Sequence, residues 1–206
     1  MKPYVIGITG RSGSGKTTLV ELLINICGGD HLSVLSLDDY YKPREDQKLD
    51  HEGYFNFDLP ESFDLNKLHA NLKSLLSGEN ISIPSYIYNS TERLEDRTIA
   101  SNSVILLEGL FINFLPKINN LIDYNVFISL DKETSYNRRL SRDINERNYE
   151  QVEIKHRFYR HAEPAYVQHI KNNQALADCV LNSTISFTDD PAFYELVSHV
   201  NGYLIK

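Results

Sequence analysis

The chain has 206 residues, 41% hydrophobic and 24% charged, with a formal net charge of −7. That length holds one α/β domain with a real core, and the composition is that of a soluble globular protein. The acidic balance argues against a nucleic-acid partner, and no apolar run approaches the roughly 18 residues of a membrane span, so neither nucleic acid nor membrane is expected. Met1-Lys2-Pro3 runs straight into an expected first strand, so no signal peptide is expected. Cys27 and Cys179 lie in separate apolar stretches and read as buried free thiols. A reducing, cytoplasmic location is expected.

In chain order, Tyr4 to Ile8 reads as a buried strand and 17–27 as a helix. Between them Gly10-Arg11-Ser12-Gly13-Ser14-Gly15-Lys16-Thr17 fits the spacing G-x-x-x-x-G-K-[ST] without a mismatch. The glycines let the loop turn several N–H groups onto one anion, and the helix adds its unpaired N–H groups and dipole. Lys16 is expected on the β- and γ-phosphates, the Thr17 hydroxyl on Mg²⁺. Gly10, Arg11, Ser12, Gly13, Ser14, Gly15, Lys16, Thr17 and Thr18 are the candidate ATP-binding residues, with ATP or GTP as phosphoryl donor and Mg²⁺ beside it.

Val34 to Leu37 reads as the second strand, with Asp38-Asp39-Tyr40-Tyr41 after it. A carboxylate there either accepts the proton of an attacking hydroxyl and helps hold Mg²⁺, or caps a turn. Side-chain alternation points only one of the two aspartates into a site. Phe55-Asn-Phe-Asp58 and Tyr86-Ile-Tyr88 set aromatics beside polar groups, as a nucleobase site or as ordinary packing would. A helix is expected at 62–77. Residues 79–100 alternate and contain Pro84, which suggests an inserted hairpin with an edge strand.

Val104 to Leu107 reads as a strand closed by Glu108-Gly109, an acidic residue suited to a Mg²⁺ site beside a glycine that permits close approach. Another strand, Asn125 to Ser129, precedes a helix over 131–147. Within it Arg138-Arg139-Leu-Ser-Arg142-Asp143 and Glu146-Arg147 form either a lid over a triphosphate (about 138–150) or a solvated face pairing Arg139 with Asp143, Arg142 with Glu146 and Asp143 with Arg147. Helices at 150–173 and 191–204 flank a strand, Cys179 to Leu181. This alternation predicts one α/β domain over 1–206, a parallel sheet flanked by helices, with its ligand site at the carboxyl ends of the strands. The seven histidines show no metal spacing and receive no role.

Taken together these segments resemble the uridine kinase (uridine–cytidine kinase) family, within the phosphoribulokinase/uridine kinase group of phosphate-loop enzymes. The resemblance runs from Tyr4 to about Leu181. Beyond the phosphate loop it rests on Leu37-Asp38-Asp39-Tyr40-Tyr41-Lys42, Phe55 to Asp64, Ile83-Pro84-Ser85-Tyr86-Ile87-Tyr88, Leu107-Glu108-Gly109, the arginine stretch, and Glu163-Pro164-Ala165-Tyr166. It implies a P-loop NTPase-type fold with an inserted hairpin and an arginine-rich lid, and phosphorylation of a pyrimidine ribonucleoside at its 5′-hydroxyl. It makes Asp38 the base, acting with Lys16 and Arg142, and places Asp58 on the ribose, Tyr86 on the base, and Phe57 and Tyr88 near it. Arg139 then contacts substrate, Arg147 and Arg142 act with the lid, and Thr17, Asp38 and Glu108 surround Mg²⁺. A homo-oligomer, such as a tetramer, is also implied.

Three positions depart from the family pattern, all on the nucleoside side: Thr91 replaces a base-reading histidine, Tyr149 an arginine and Arg157 a glutamine. The segment near 182–188 matches the family's adenine-contacting segment poorly. A same-fold kinase for another acceptor, such as nicotinamide riboside, and a non-catalytic NTP-binding regulator are the rival expectations.

Overall fold

Alternating apolar residues decide the centre of the fold. The computed structural model describes residues 2–84 and 96–204. Its strands are β1 (Tyr4–Gly10), β2 (Leu32–Ser36), β3 (Lys48–Leu49), β4 (Phe55–Asn56), β5 (Ile81–Pro84), β6 (Asp96–Ile99), β7 (Val104–Glu108), β8 (Tyr124–Ser129) and β9 (Cys179–Asn182). Five of them form one parallel sheet in the order β2-β7-β1-β8-β9. Val5, Ile105, Leu107 and Phe127 face one side, where the core also contains Leu68, Leu72 and Ile170. Ile6, Ile8, Leu106 and Val126 face the other, with Leu19, Leu23, Phe193 and Val200. Both faces are dry, as a parallel sheet between helix layers requires.

The helices are α1 (Lys16–Cys27), α2 (Leu65–Leu76), α3 (Pro116–Asn119), α4 (Lys132–Asn145), α5 (Gln151–Arg157), α6 (Glu163–Ala165) and α7 (Pro191–Leu204). Asp64 caps α2 by accepting the Lys67 N–H at 2.9 Å, so this helix starts three residues later than the periodicity predicts. Asp131 caps α4 through the Thr134 N–H at 2.8 Å. The helix expected at 150–173 begins as α5, widens to π geometry at Phe158–Ala162 and again at Tyr166–Ile170, and tightens to a 3₁₀ turn at Lys171–Leu176.

Two further expectations change in detail. The second strand stops at Ser36, because the Ser36 hydroxyl accepts the Asp38 N–H at 3.3 Å and starts a 3₁₀ turn over Leu37–Tyr40. Cys179 is buried and Cys27 only half-buried; both are free thiols. The inserted hairpin is present as antiparallel β5 and β6, with Pro84 opposite Asp96. Its segment 85–95, with Tyr86, Tyr88 and Thr91, lies outside the described residues. The β3–β4 pair and α3 were too short to show a period in the sequence.

Candidate active site

Each element that ends at the site does so for a local reason. After β1 the chain turns through Gly15, whose left-handed φ of 87° suits glycine and starts α1 at Lys16. After β7, a Cβ at Gly109 would collide with Leu37, so only glycine lets the ends of β2 and β7 lie this close. Ser36 bridges them: its hydroxyl donates to Glu108 Oε1 at 2.6 Å while accepting the Asp38 N–H. The sequence reading missed Ser36, whose only signal is its place one residue before the strand-end turn.

A cavity of about 570 Å³ opens where these strands end. Ser12, Gly13, Gly15, Lys16, Thr17 and Thr18 form one wall, with Asp38 and Glu108 beside them. Thr17 and Thr18 are exposed to it. Three of the loop positions read as ATP-binding lie off this wall. Gly10 sits below it, where a Cβ would meet the Ile128 carbonyl oxygen. Arg11 turns away to pair with Glu163 and stack 3.7 Å over the Tyr166 ring, and Ser14 is fully buried. For Arg11 and Ser14 that leaves the backbone to face a nucleotide.

The charges in the cavity are strongly coupled. Lys16 Nζ donates to the Arg11 carbonyl at 3.3 Å. Burial lowers the Lys16 pKa and the neighbouring Arg142 lowers it further, while Glu108 and Asp38 oppose the shift. The Asp38 side chain opens onto the cavity, yet the protein around it displaces bulk water. That burial raises its carboxyl above the usual range, against the pull of Lys16, Arg147 and Arg142. Glu108 is pushed up to about 7, first by burial and then by Asp38, with Lys16 and the Ser36 hydroxyl opposing. Asp39 faces elsewhere and pairs with Arg97 of β6, so one aspartate of the two enters the cavity as expected, although the segment is a 3₁₀ turn and not the extended run that alternation assumes.

The opposite wall carries Phe57, Asp58, Arg139, Arg142, Arg147 and Arg157. Arg139 clamps the buried Asp58 carboxylate with two N–H···O bonds of 3.1 Å. Asp143 is the hub of this wall. It accepts from Arg139 Nε at 3.3 Å, Arg142 Nε at 2.9 Å and Arg147 at 3.1 Å. Arg142 therefore pairs with its neighbour Asp143 rather than with Glu146, and Asp143 is buried rather than part of a solvated face. Arg138 donates to the Ser183 hydroxyl at 2.7 Å and its carbonyl at 2.6 Å, and Ser135 donates to the Ser12 carbonyl at 2.7 Å. These bonds dock α4 on the phosphate loop.

Two of the positions that depart from the family pattern can be placed. Arg157 lies on the cavity wall, held by Glu153 and the Phe55 carbonyl, with Tyr149 and Phe57 over its guanidinium at 4.9 and 5.5 Å. Asp58 shares that wall. Ser183, Ile185, Ser186 and Phe187 also line the cavity, near the loop glycines, although their sequence gave no adenine-site signal.

A glycine loop between a parallel strand and a helix, a half-buried lysine, and acidic strand ends facing an arginine-bearing helix define a phosphate-loop phosphotransferase. The sequence model of the Phosphoribulokinase / Uridine kinase family matches residues 5–187, and the chain belongs to that family. It is 35% identical over 183 residues to a uridine kinase of Schizosaccharomyces pombe, covering 87% of this chain and 40% of that longer protein. It is 32% identical to a uridine kinase of Clostridium perfringens, covering 87% of each. The fold matches a structure described as a possible uridine kinase from Bacillus stearothermophilus, with a TM-score of 0.62, 20% identity, and 87% and 89% of the two chains covered. Among the described residues no helix is long and apolar enough to cross a membrane.

Proposed function

We propose that this chain transfers the terminal phosphoryl group of ATP, or of GTP, to the 5′-hydroxyl of a pyrimidine ribonucleoside, uridine first and cytidine second. One observation carries the reading: Asp38 and Lys16 line the same cavity, with Asp58 and Phe57 across from the phosphate loop. The phosphate-loop N–H groups and Lys16 hold the donor phosphates. Asp58 and Phe57 position the nucleoside. Asp38 takes the hydroxyl proton as the new O–P bond forms and the bond to the nucleoside diphosphate breaks. Arg142, Arg139 and Arg147 stabilise the charge on the transferring group and, with the hairpin, exclude water.

The donor set suits Mg²⁺. The Thr17 hydroxyl and the Asp38 and Glu108 carboxylates are hard oxygen ligands beside the phosphate loop. A cation held there would neutralise phosphate charge. The family resemblance further supports a single domain, a homo-oligomer and a cytoplasmic enzyme.

The test is a panel of hydroxyl acceptors with labelled ATP and product identification. Uridine and cytidine monophosphates are the expected products. Product from nicotinamide riboside alone would move the acceptor assignment, a reading that Arg157 on the acceptor wall keeps open. Tight ATP binding with no product from any acceptor would overturn the kinase reading.

A further inference from the structure

The fold gathers two histidines that the sequence reading left without a role. Asp50 stands in the turn between β3 and β4. Its Oδ1 accepts the Glu52 and Tyr54 N–H groups, each at 2.9 Å. Its Oδ2 lies 2.6 Å from His156 Nε2 and 2.7 Å from His161 Nε2. The three ligand-type atoms all fall within 4.8 Å of one another. None of the three residues lines the cavity described above.

The sequence hides this meeting for a definite reason. In a regular α-helix, residues five apart point about 140° away from each other. Here the widened turn over Phe158–Ala162 closes with the Glu163 N–H on the Phe158 carbonyl, a bond spanning five residues. That extra residue in the turn swings His161 onto the face of His156. Wide turns of this kind occur often at functional sites.

We infer that Asp50, His156 and His161 form a binding site for a divalent transition-metal cation of the Zn²⁺ class, separate from the oxygen-donor site for Mg²⁺. Two imidazoles and one carboxylate are a borderline-soft set that disfavours Mg²⁺ and suits Zn²⁺ or Co²⁺, with one position left for water. The Asp50 oxygen sits slightly closer to each imidazole nitrogen than two ligands on a shared ion do. Each of those oxygen–nitrogen pairs would open to about 3.3 Å for tetrahedral bonds near 2.0–2.1 Å. That shift is small for side chains drawn from a hairpin turn and a helix.

One of the two rings has the outer partner typical of a metal ligand. His156 Nδ1 faces Glu52 Oε2 at 3.4 Å, the carboxylate–imidazole arrangement that orients a metal-binding ring. His161 is buried, and its Nδ1 has no partner among the described residues, so no second bond fixes which ring nitrogen keeps the proton. Each ring binds as the neutral imidazole with its proton on Nδ1. Glu52 is exposed and leaves a path from solvent. An ion here would fasten the turn before the Phe57–Asp58 segment to the helix that follows the arginines.

The experiment uses the full chain without an affinity tag, stripped with chelator and titrated with Co²⁺ and Zn²⁺ under excess Mg²⁺. We expect one Co²⁺ per chain with the intense visible bands of a tetrahedral ion, and an affinity at least about tenfold lower in His156→Gln, His161→Gln and Asp50→Asn proteins that keep the native circular dichroism. X-ray absorption of the wild-type Zn²⁺ protein should show two imidazoles, a readout that needs no variant. An all-oxygen shell, loss of binding to competing Mg²⁺, or equal binding in the His156→Gln/His161→Gln double variant would show instead a hydrogen-bonded clamp that takes no metal.

Discussion

The nucleotide wall and the acceptor wall of the cavity face each other across a few residues, yet they are assembled by different forces. On the nucleotide side each functional group stands at the end of a strand or the start of α1, so sheet register places it. On the acceptor side Asp58, Arg139, Arg142, Arg147 and Arg157 come from the loop after β4, from α4 and the turn after it, and from α5, and are held by ion pairs converging on Asp143 and Glu153. Sheet register is backed by a dry core and tolerates the loss of one side chain. A buried ion-pair network does not, because removing one member strands the others.

Four measurements press on that contrast, from the largest expected effect downward. Asp38→Asn should lower turnover by about 10²–10⁴-fold while ATP affinity stays within about threefold, since it removes a proton acceptor and leaves the sheet intact. Rate and isothermal titration measurements check this; wild-type turnover in the variant would remove Asp38 as the base. Arg139→Met should destabilise the fold by about 3–5 kcal/mol in urea unfolding, because it leaves the buried Asp58 carboxylate without its clamp. Adding Asp58→Leu should restore much of that loss. If Arg139→Met unfolds like the wild type, the acceptor wall is not built as described.

The third measurement follows pH. Glu108 is raised by burial and by Asp38 from its ordinary 4.5 to about 7. A carboxyl raised in the folded state favours folding most below its unfolded pKa, and that contribution is lost as pH rises through the folded value. Stability of the Mg²⁺-free protein should therefore fall between about pH 4.5 and 7, and Glu108→Gln should flatten that slope. A wild-type slope in Glu108→Gln would assign it to other groups. The smallest effect belongs to Arg157→Gln. It should change the acceptor KM by about fivefold, the worth of one hydrogen bond, and leave the KM for ATP unchanged. A shift in the ATP KM instead would move Arg157 off the acceptor side.

The same contrast explains what could be read from sequence. The phosphate loop, Asp38 and Glu108 are legible because a buried strand fixes where the next residue goes, and the five parallel strands announce themselves by apolar runs. The pairing of Asp58 with Arg139 joins residues 81 apart in sequence, and no local period encodes it. The resemblance to a known family placed both residues at the substrate, but not against each other. Ser36 and Ser183 escaped notice because a hydroxyl in a strand end has no pattern of its own. The pair His156 and His161 escaped because a regular helical period was assumed where the turn is wide.

Gly109 carries a mechanical consequence. The missing side chain sets how far apart two acidic strand ends stand, so it acts as a spacer of zero thickness between Leu37 and the backbone of the neighbouring strand. Alanine there would put its Cβ 2.3 Å from Leu37 Cβ, so Leu37 would have to move out by about an ångström to reach ordinary contact, carrying the adjacent Asp38 with it without touching any charge. Reaction rates depend steeply on such offsets. Residues of graded bulk at this single position therefore offer a ruler for how sharply the chemistry depends on alignment alone.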